Sequence, residues 1–341
     1  MGSSLRLTVV GENGDAAWAE VVDEFAASDQ ALSRFRDDAE LVALDRAAGA
    51  GIALPVGWRL ERAVVLADRA CRATGGRFDA RVLQDLERLG EHGAQMTVDA
   101  SAPTEQSKRS WRGRPIVRRL SPGYVSLDRP IDLGGVGKGL ALRWAASRCA
   151  RLGLEGSLID AGGDIMVEGD APEADAWQIG IEDPTARDGA PIAVVRLRDR
   201  AIATSSISRR TWEHEGRLVH HLIDPTSGLP AWTGLLAVTV AWPDPAWAEV
   251  WAKSLFLNGA AAIGSEARRR GFAAWWVVDD GTLEMTPAAR ELTLWVAGED
   301  QAPRVSAASS SSSVGMPSRA PAFVTADDAA ATARRAASSS G

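Results

Sequence analysis

An α+β fold, with mixed and largely antiparallel sheets and packed helices, is what this sequence predicts, and three observations predict it. Helix-period segments crowd the first third of the chain. From residue 116 to about 240, short β-branched stretches alternate with turn residues at spacings too short for helical crossovers, as in antiparallel sheets. Two further helical segments then follow before the last strands.

In chain order, "SSLRLTVVG" reads as an opening strand, and Asp15 to Ser33 as an amphipathic helix with Val21, Val22, Phe25 and Leu32 on its apolar face. "SRFRDDAELVALDRAAG" predicts a turn or short strand running into a helix capped by Asp37 or Asp38. A long helix spans Val56 to Arg72 and stops at the "TGGRF" glycines, and a short one spans Arg81 to Leu89. "IVRRL" and "YVSLD" are strands, and "IDLGGVGKGLALRWAASRCARLGL" is a glycine-rich loop entering a helix. Strands follow at "SLIDAGGDIMVEG", "WQIGIED", "IAVVRLR", "AIATSS", "RLVHHLIDPTSG" and "LLAVTVAW". Helices at 243–259 and 260–270 precede the strands "AAWWVVDD", "LEMT" and "LTLWVAG". Residues 1–298 make one folding unit; the Ser, Ala and Pro-rich segment 299–341, with its run Ser309 to Ser313, buries too little apolar surface to order itself and is expected to be disordered.

The 341 residues are 45% hydrophobic and carry a net charge of -7, which excludes the basic face of a nucleic-acid binder. Cys71 and Cys149 lie in separate apolar helices and read as buried free thiols. No apolar run approaches the ~18 residues of a membrane span, and no signal peptide or lipobox precedes the first strand. As given, the chain is expected in the cytoplasm, an exported form needing an upstream segment.

Five stretches carry possible chemistry. In "DLGGVGKG", Asp132 to Gly139, a strand-end carboxylate, glycines and Lys138 at a helix start make an anion site that suits phosphate. The competing reading is a glycine-rich helix start used for tight packing; the P-loop and dinucleotide fingerprints both fail here. In "HHLIDPTSG" only one of His220 and His221 can face a given pocket, because adjacent strand residues point to opposite faces. His221 stands three residues before Asp224, a spacing at which a carboxylate can orient a proton-accepting ring, although a strand histidine is more often structural. "LIDAGGDIMVEG" reads as a hairpin or a close backbone approach, and Asp79 as the N-cap of the helix after it. Finally, Glu249 and Lys253 stand one turn apart in a helix that is otherwise apolar nearly all round. They are either an i,i+4 ion pair worth a few tenths of a kcal/mol or part of a site, and burial favours the site.

Eight blocks in this order, "MGSSLRLTVVG", "LSRFRDDAELVALDRAAG", "GGRFDARVLQDLERLG", "IDLGGVGKGLALRW", "LIDAGGDIMVEG", "IATSSISRRTW", "HHLIDPTSGLPA" and "VTVAWPDPAWAEVWAKSLFLNG", resemble the ApbE family of FAD:protein FMN transferases from Met1 to about Val296. The resemblance implies a two-lobed α+β fold with FAD between the lobes, a magnesium ion, and transfer of FMN from FAD to a Thr or Ser hydroxyl of an acceptor flavoprotein, releasing AMP. It puts Met1, Phe35, Phe78, Asp79, Asp132, Gly135, Gly137 and Lys138 at the FAD, with His221 as proton acceptor and Asp224 in support. The metal ligands it implies are Glu249 and the main-chain carbonyls of Gly135 and Ala252. The common Asp and Thr on the last helix are replaced by Glu249 and Lys253. A protonated ammonium has no lone pair for a metal, so either Lys253 stands in for the ion, joining the catalytic set, or it swings aside. The alternatives in function are an FAD pyrophosphatase, with water in place of the acceptor, and a non-catalytic FAD-binding or flavin-trafficking protein.

Overall fold

The structure is a computed structural model that describes residues 4–91, 115–172, 174–186, 189–208, 210–299 and 323–325. Its frame is an eight-stranded antiparallel sheet. β1 (Leu5–Val10), β5 (Gly156–Ala161), β6 (Asp164–Gly169), β9 (Arg200–Ser206), β14 (Leu235–Trp242), β15 (Ala273–Val278) and β16 (Leu283–Met285) lie side by side in spatial order β16-β15-β14-β9-β6-β5-β1. β18 (Phe323–Thr325) completes it against the outer edge of β1, Leu7 opposite Val324. That strand falls in a segment whose composition predicted no element.

Period-two alternation in these strands builds two cores at once. Ile202 of β9 and Trp275 and Val277 of β15 face a second antiparallel sheet, made of β17 (Thr293–Val296), β8 (Pro191–Leu197) and β7 (Trp177–Glu182). Ala201 and Ala203 of β9 face the helical layer with α1 (Gly14–Leu32) and α5 (Gly137–Cys149). On the same side, Val238 and Val240 of β14 and Trp276 of β15 meet α6 (Pro245–Asn258) and α7 (Ala260–Arg269). α2 (Glu40–Arg46), α3 (Trp58–Ala73) and the small sheet β2 (Leu54–Pro55), β4 (Tyr124–Leu127), β3 (Val117–Ser121) form a separate core that reaches Leu140 of α5 and Val250 of α6. α4 (Leu83–Arg88), α8 (Pro287–Leu292) and the two-stranded pairs β10 (Thr211–His214) with β11 (Arg217–His220) and β12 (Ile223–Asp224) with β13 (Leu229–Pro230) complete the described elements. No helix among the described residues is long and apolar enough to cross a membrane.

Local chemistry explains the boundaries. α3 ends where Gly75 and Gly76 take positive φ and the Gly76 N–H donates to Cys71 O at 2.8 Å. α6 starts on Asp244, whose carboxylate accepts from Trp247 N at 3.0 Å, with Pro245 at the first helical position. The cap expected for α2 is not there. Ala39 flanks that helix without a side-chain bond, because Asp38 is held by the Arg36 guanidinium at 3.1 and 3.2 Å. Both cysteines are buried and free.

Candidate active site

One cavity of about 590 Å³ opens between the end of the main sheet, β7 of the second sheet, the start of α5 and one face of α6. Each wall is set by local structure. Phe78 is held by its N–H donating to Thr74 Oγ1 at 3.0 Å, just past the α3 glycines. Asp79 caps the short 3₁₀ turn after it, as expected: its carboxylate accepts from Arg81 N at 3.0 Å and from the Arg81 guanidinium at 2.9 and 2.7 Å. Asp132 donates its N–H to Ala80 O at 2.7 Å and accepts from Gly134 N at 2.8 Å. Gly162 and Gly163, both at positive φ, form the two-residue turn between Ala161 and Asp164 and so bring Asp164 to the cavity.

The glycine-rich stretch serves both of its readings. Gly135 lines the cavity, whereas a Cβ on Gly139 would lie 2.4 Å from Ala246 Cα, so Gly139 is there to let α5 and α6 touch backbone to backbone. Its N–H, at the open end of α5, donates to Glu249 Oε2 at 3.1 Å. Lys138 bonds Asp164 Oδ2 and stands 3.7 Å from Glu249 Oε1. Those two carboxylates raise the Lys138 pKa against the opposing effect of burial. Burial pushes Glu249 up to about 7, although Lys138 and Lys253 pull it down. Glu249 is therefore no surface ion pair: it is 6% exposed and ties α6 to α5.

Lys253 points into the same cavity. Its Nζ is 2.5 Å from where a Cβ on Gly135 would stand and 5.9 Å from the Phe78 ring centroid. Burial lowers its pKa, and attraction to Asp132 and then Glu249 works against that. Across from it, His221 lines the cavity while His220 is 0% exposed, its ring edge-on to Trp232 at 4.6 Å. The His221 Nδ1 lies 3.4 Å from Arg210 O; a carbonyl only accepts, so Nδ1 carries the proton and Nε2 keeps a lone pair. Burial, then Lys253 and Arg210, hold the His221 pKa well below the usual imidazole range.

Four expected residues stand apart from this lining. Phe35 is 55% exposed and stacks under the Arg34 guanidinium, 4.2 Å from its ring centroid. Asp224 does not orient His221: its carboxylate accepts from Thr226 N at 2.8 Å and Ser227 Oγ at 3.2 Å, which shapes the "DPTSG" turn. Gly137 is buried at the first position of α5. Ala252 is buried inside α6, where main-chain carbonyls are taken by amides one turn on. Met1 lies outside the described residues.

Several lining residues escaped the sequence reading. Arg210 extends from the β9–β10 connection, ion-paired to Glu91, which also meets buried Arg34 at 3.1 Å. Thr204 and Thr239 face each other across β9 and β14, oxygens 2.9 Å apart. Arg210 sits in the "IATSSISRRTW" block, and the Arg209–Arg210 pair was its only signal.

A divalent cation does not fit these residues. Glu249 and Asp164 already share the Lys138 ammonium and main-chain amides, and a second ammonium stands against Gly135. No group of three or more His, Cys, Asp or Glu side chains among the described residues could hold a metal.

The sequence profile of the ApbE family matches residues 1–276. An FAD:protein FMN transferase of Klebsiella pneumoniae is 27% identical over 309 residues, covering 88% of each chain. One from Treponema pallidum is 31% identical over 261 residues, 72% of each. The crystal structure of the flavinyl transferase ApbE from Pseudomonas stutzeri, in its apo form, superposes with a TM-score of 0.72 at 25% identity over 86% of this chain and 94% of that one. The flavin transferase ApbE from Vibrio cholerae superposes at 0.71 with 22% identity, over 86% and 96%. With a matching profile over residues 1–276, the same α+β architecture and a relative aligned over 88% of its length, this chain belongs to the ApbE family.

Proposed function

We propose that this chain transfers FMN from FAD to a Thr or Ser hydroxyl of an acceptor flavoprotein and releases AMP. The observation that carries the reading is a neutral imidazole facing the same cavity as three cations. His221 has its Nε2 lone pair available, and Lys138, Lys253 and Arg210 line the surrounding wall. That is the equipment a phosphoryl transfer needs: a base for the attacking hydroxyl and fixed positive charge for the phosphate oxygens.

In this reading the acceptor hydroxyl attacks the FMN-side phosphorus of FAD. Its oxygen forms the new P–O bond, its proton passes to His221 Nε2, and the bond to the AMP phosphate breaks. Lys138, fixed between Asp164 and Glu249, holds position with little reorganisation, while Lys253 faces the charge that develops on the leaving phosphate. Phe78, Ile179 and Ile181 supply apolar surface for the flavin ring system.

The test is incubation with FAD and a flavoprotein domain bearing candidate Thr and Ser sites, read by mass spectrometry of the intact acceptor. FMN on the acceptor, abolished by changing one hydroxyl residue to Ala, is the expected result. Free FMN in the same amount as AMP would make the chain a pyrophosphatase, and FAD recovered intact would make it a binder.

A further inference from the structure

We propose that the ammonium of Lys253 and the guanidinium of Arg210 supply, at the pyrophosphate of FAD, the positive charge that a divalent ion would otherwise bring. The inference rests on FAD being the ligand of this cavity. A pyrophosphate diester carries two negative charges; Lys253 brings one positive charge with no ion pair at short range among the described residues, and Arg210 adds a guanidinium whose charge is shared with Glu91.

Three observations carry it. First, the one carboxylate among the implied metal ligands is occupied, since Glu249 and Asp164 together hold Lys138 between them. Second, Lys253 forms no direct ion pair among the described residues, and its Nζ faces the cavity beside Gly135, 5.9 Å from the Phe78 ring centroid. Third, Arg210 is held at the cavity by Glu91, itself anchored on Arg34, which is 5% exposed and stands 3.6 Å from Asp132. Arg210, its side chain 43% exposed, is thus the outer end of a braced chain of charges that runs back to buried Arg34.

Two measurements test this. In the first, AMP release from FAD in the presence of the acceptor flavoprotein is followed with EDTA and with added Mg²⁺. The wild-type rate is expected to agree within about twofold in the two buffers. Lys253→Thr is expected to fall about 100-fold in EDTA and recover with Mg²⁺, and Arg210→Gln to fall about tenfold in EDTA, partly restored in Arg210→Lys. A wild-type rate lost in EDTA and restored by Mg²⁺ overturns the proposal. In the second, Mn²⁺ binding to the FAD-saturated full chain is read by electron paramagnetic resonance. No bound ion in wild type, with one gained in Lys253→Thr, is expected; one ion per wild-type chain overturns the proposal while FMN transfer stands. Loss of AMP in every arm, with FAD tightly held and Mn²⁺ still excluded, would overturn the transfer reading and leave the charge assignment intact.

Discussion

The two walls of the cavity are built differently. On one, α5 and α6 approach so closely that only glycine fits at residue 139, and buried Asp164 and Glu249 hold the half-buried Lys138 between them. On the other, His221 stands between two small two-stranded sheets whose neighbours include exposed apolar side chains: Leu218 at 60%, Leu229 at 53% and Trp232 at 59%. Fixed charge belongs on a rigid scaffold, because its benefit depends on needing no reorganisation when the phosphate changes. A proton acceptor that must meet a second protein's hydroxyl belongs where that protein can reach. In the proposed reaction the first wall is assigned to FAD and the second to the acceptor.

The sharpest way to break this division is His221→Ala. FMN transfer is expected to fall about 1000-fold, within the range for loss of a general base, while FAD affinity and unfolding stability change little. Titration calorimetry with FAD alongside the transfer assay checks it, and equal losses in both would return His221 to the FAD-holding wall. Next is Lys138→Met, which leaves Asp164 and Glu249 without their shared cation. About 3 kcal/mol of stability is expected to go, read by urea unfolding, together with FAD binding.

The two adjacent histidines sharpen the contrast further. Burial lowers the His220 pKa from 6.5 to about 4, so the unfolded chain binds a proton between those values that the folded chain refuses. Stability should therefore fall as pH drops from 6.5 to 4, by about 3 kcal/mol from this residue, and the fall should shrink by that amount in His220→Phe. His221, with its pKa also held down, stays neutral at pH 7 and available as a base. The smallest expected effect is Phe35→Ala: its ring is outside the cavity lining, so the KM for FAD should move by less than about twofold.

Much of this was legible in the residues themselves. Alternation and turn chemistry located nearly every strand of the main sheet, and the "TGGRF" and Pro-rich α6 boundaries fell where glycine and proline demand them. Period-two logic stated that only one of His220 and His221 could face the site, the resemblance chose His221, and His221 is the one that lines the cavity. The failures share a cause. Asp38 and Asp224 each sit at a spacing suited to capping or orienting, yet near neighbours took their oxygens: Arg36 for Asp38, and Thr226 with Ser227 for Asp224. Arg210 was missed for the opposite reason. Its value comes from Glu91 and Arg34, 119 and 176 residues away in sequence, and no local pattern encodes that. Lys253 was legible as a departure with two readings, standing in for an ion or swinging aside; what the sequence did not carry is that Asp164 and Glu249 are occupied by Lys138.

The most direct test of FMN transfer is the stoichiometry of one reaction: AMP released from FAD and FMN covalently gained by an acceptor flavoprotein, measured in the same tube. One FMN on the acceptor for each AMP, both lost together in His221→Ala, is the predicted result. AMP matched by free FMN, with the acceptor unmodified, would contradict it.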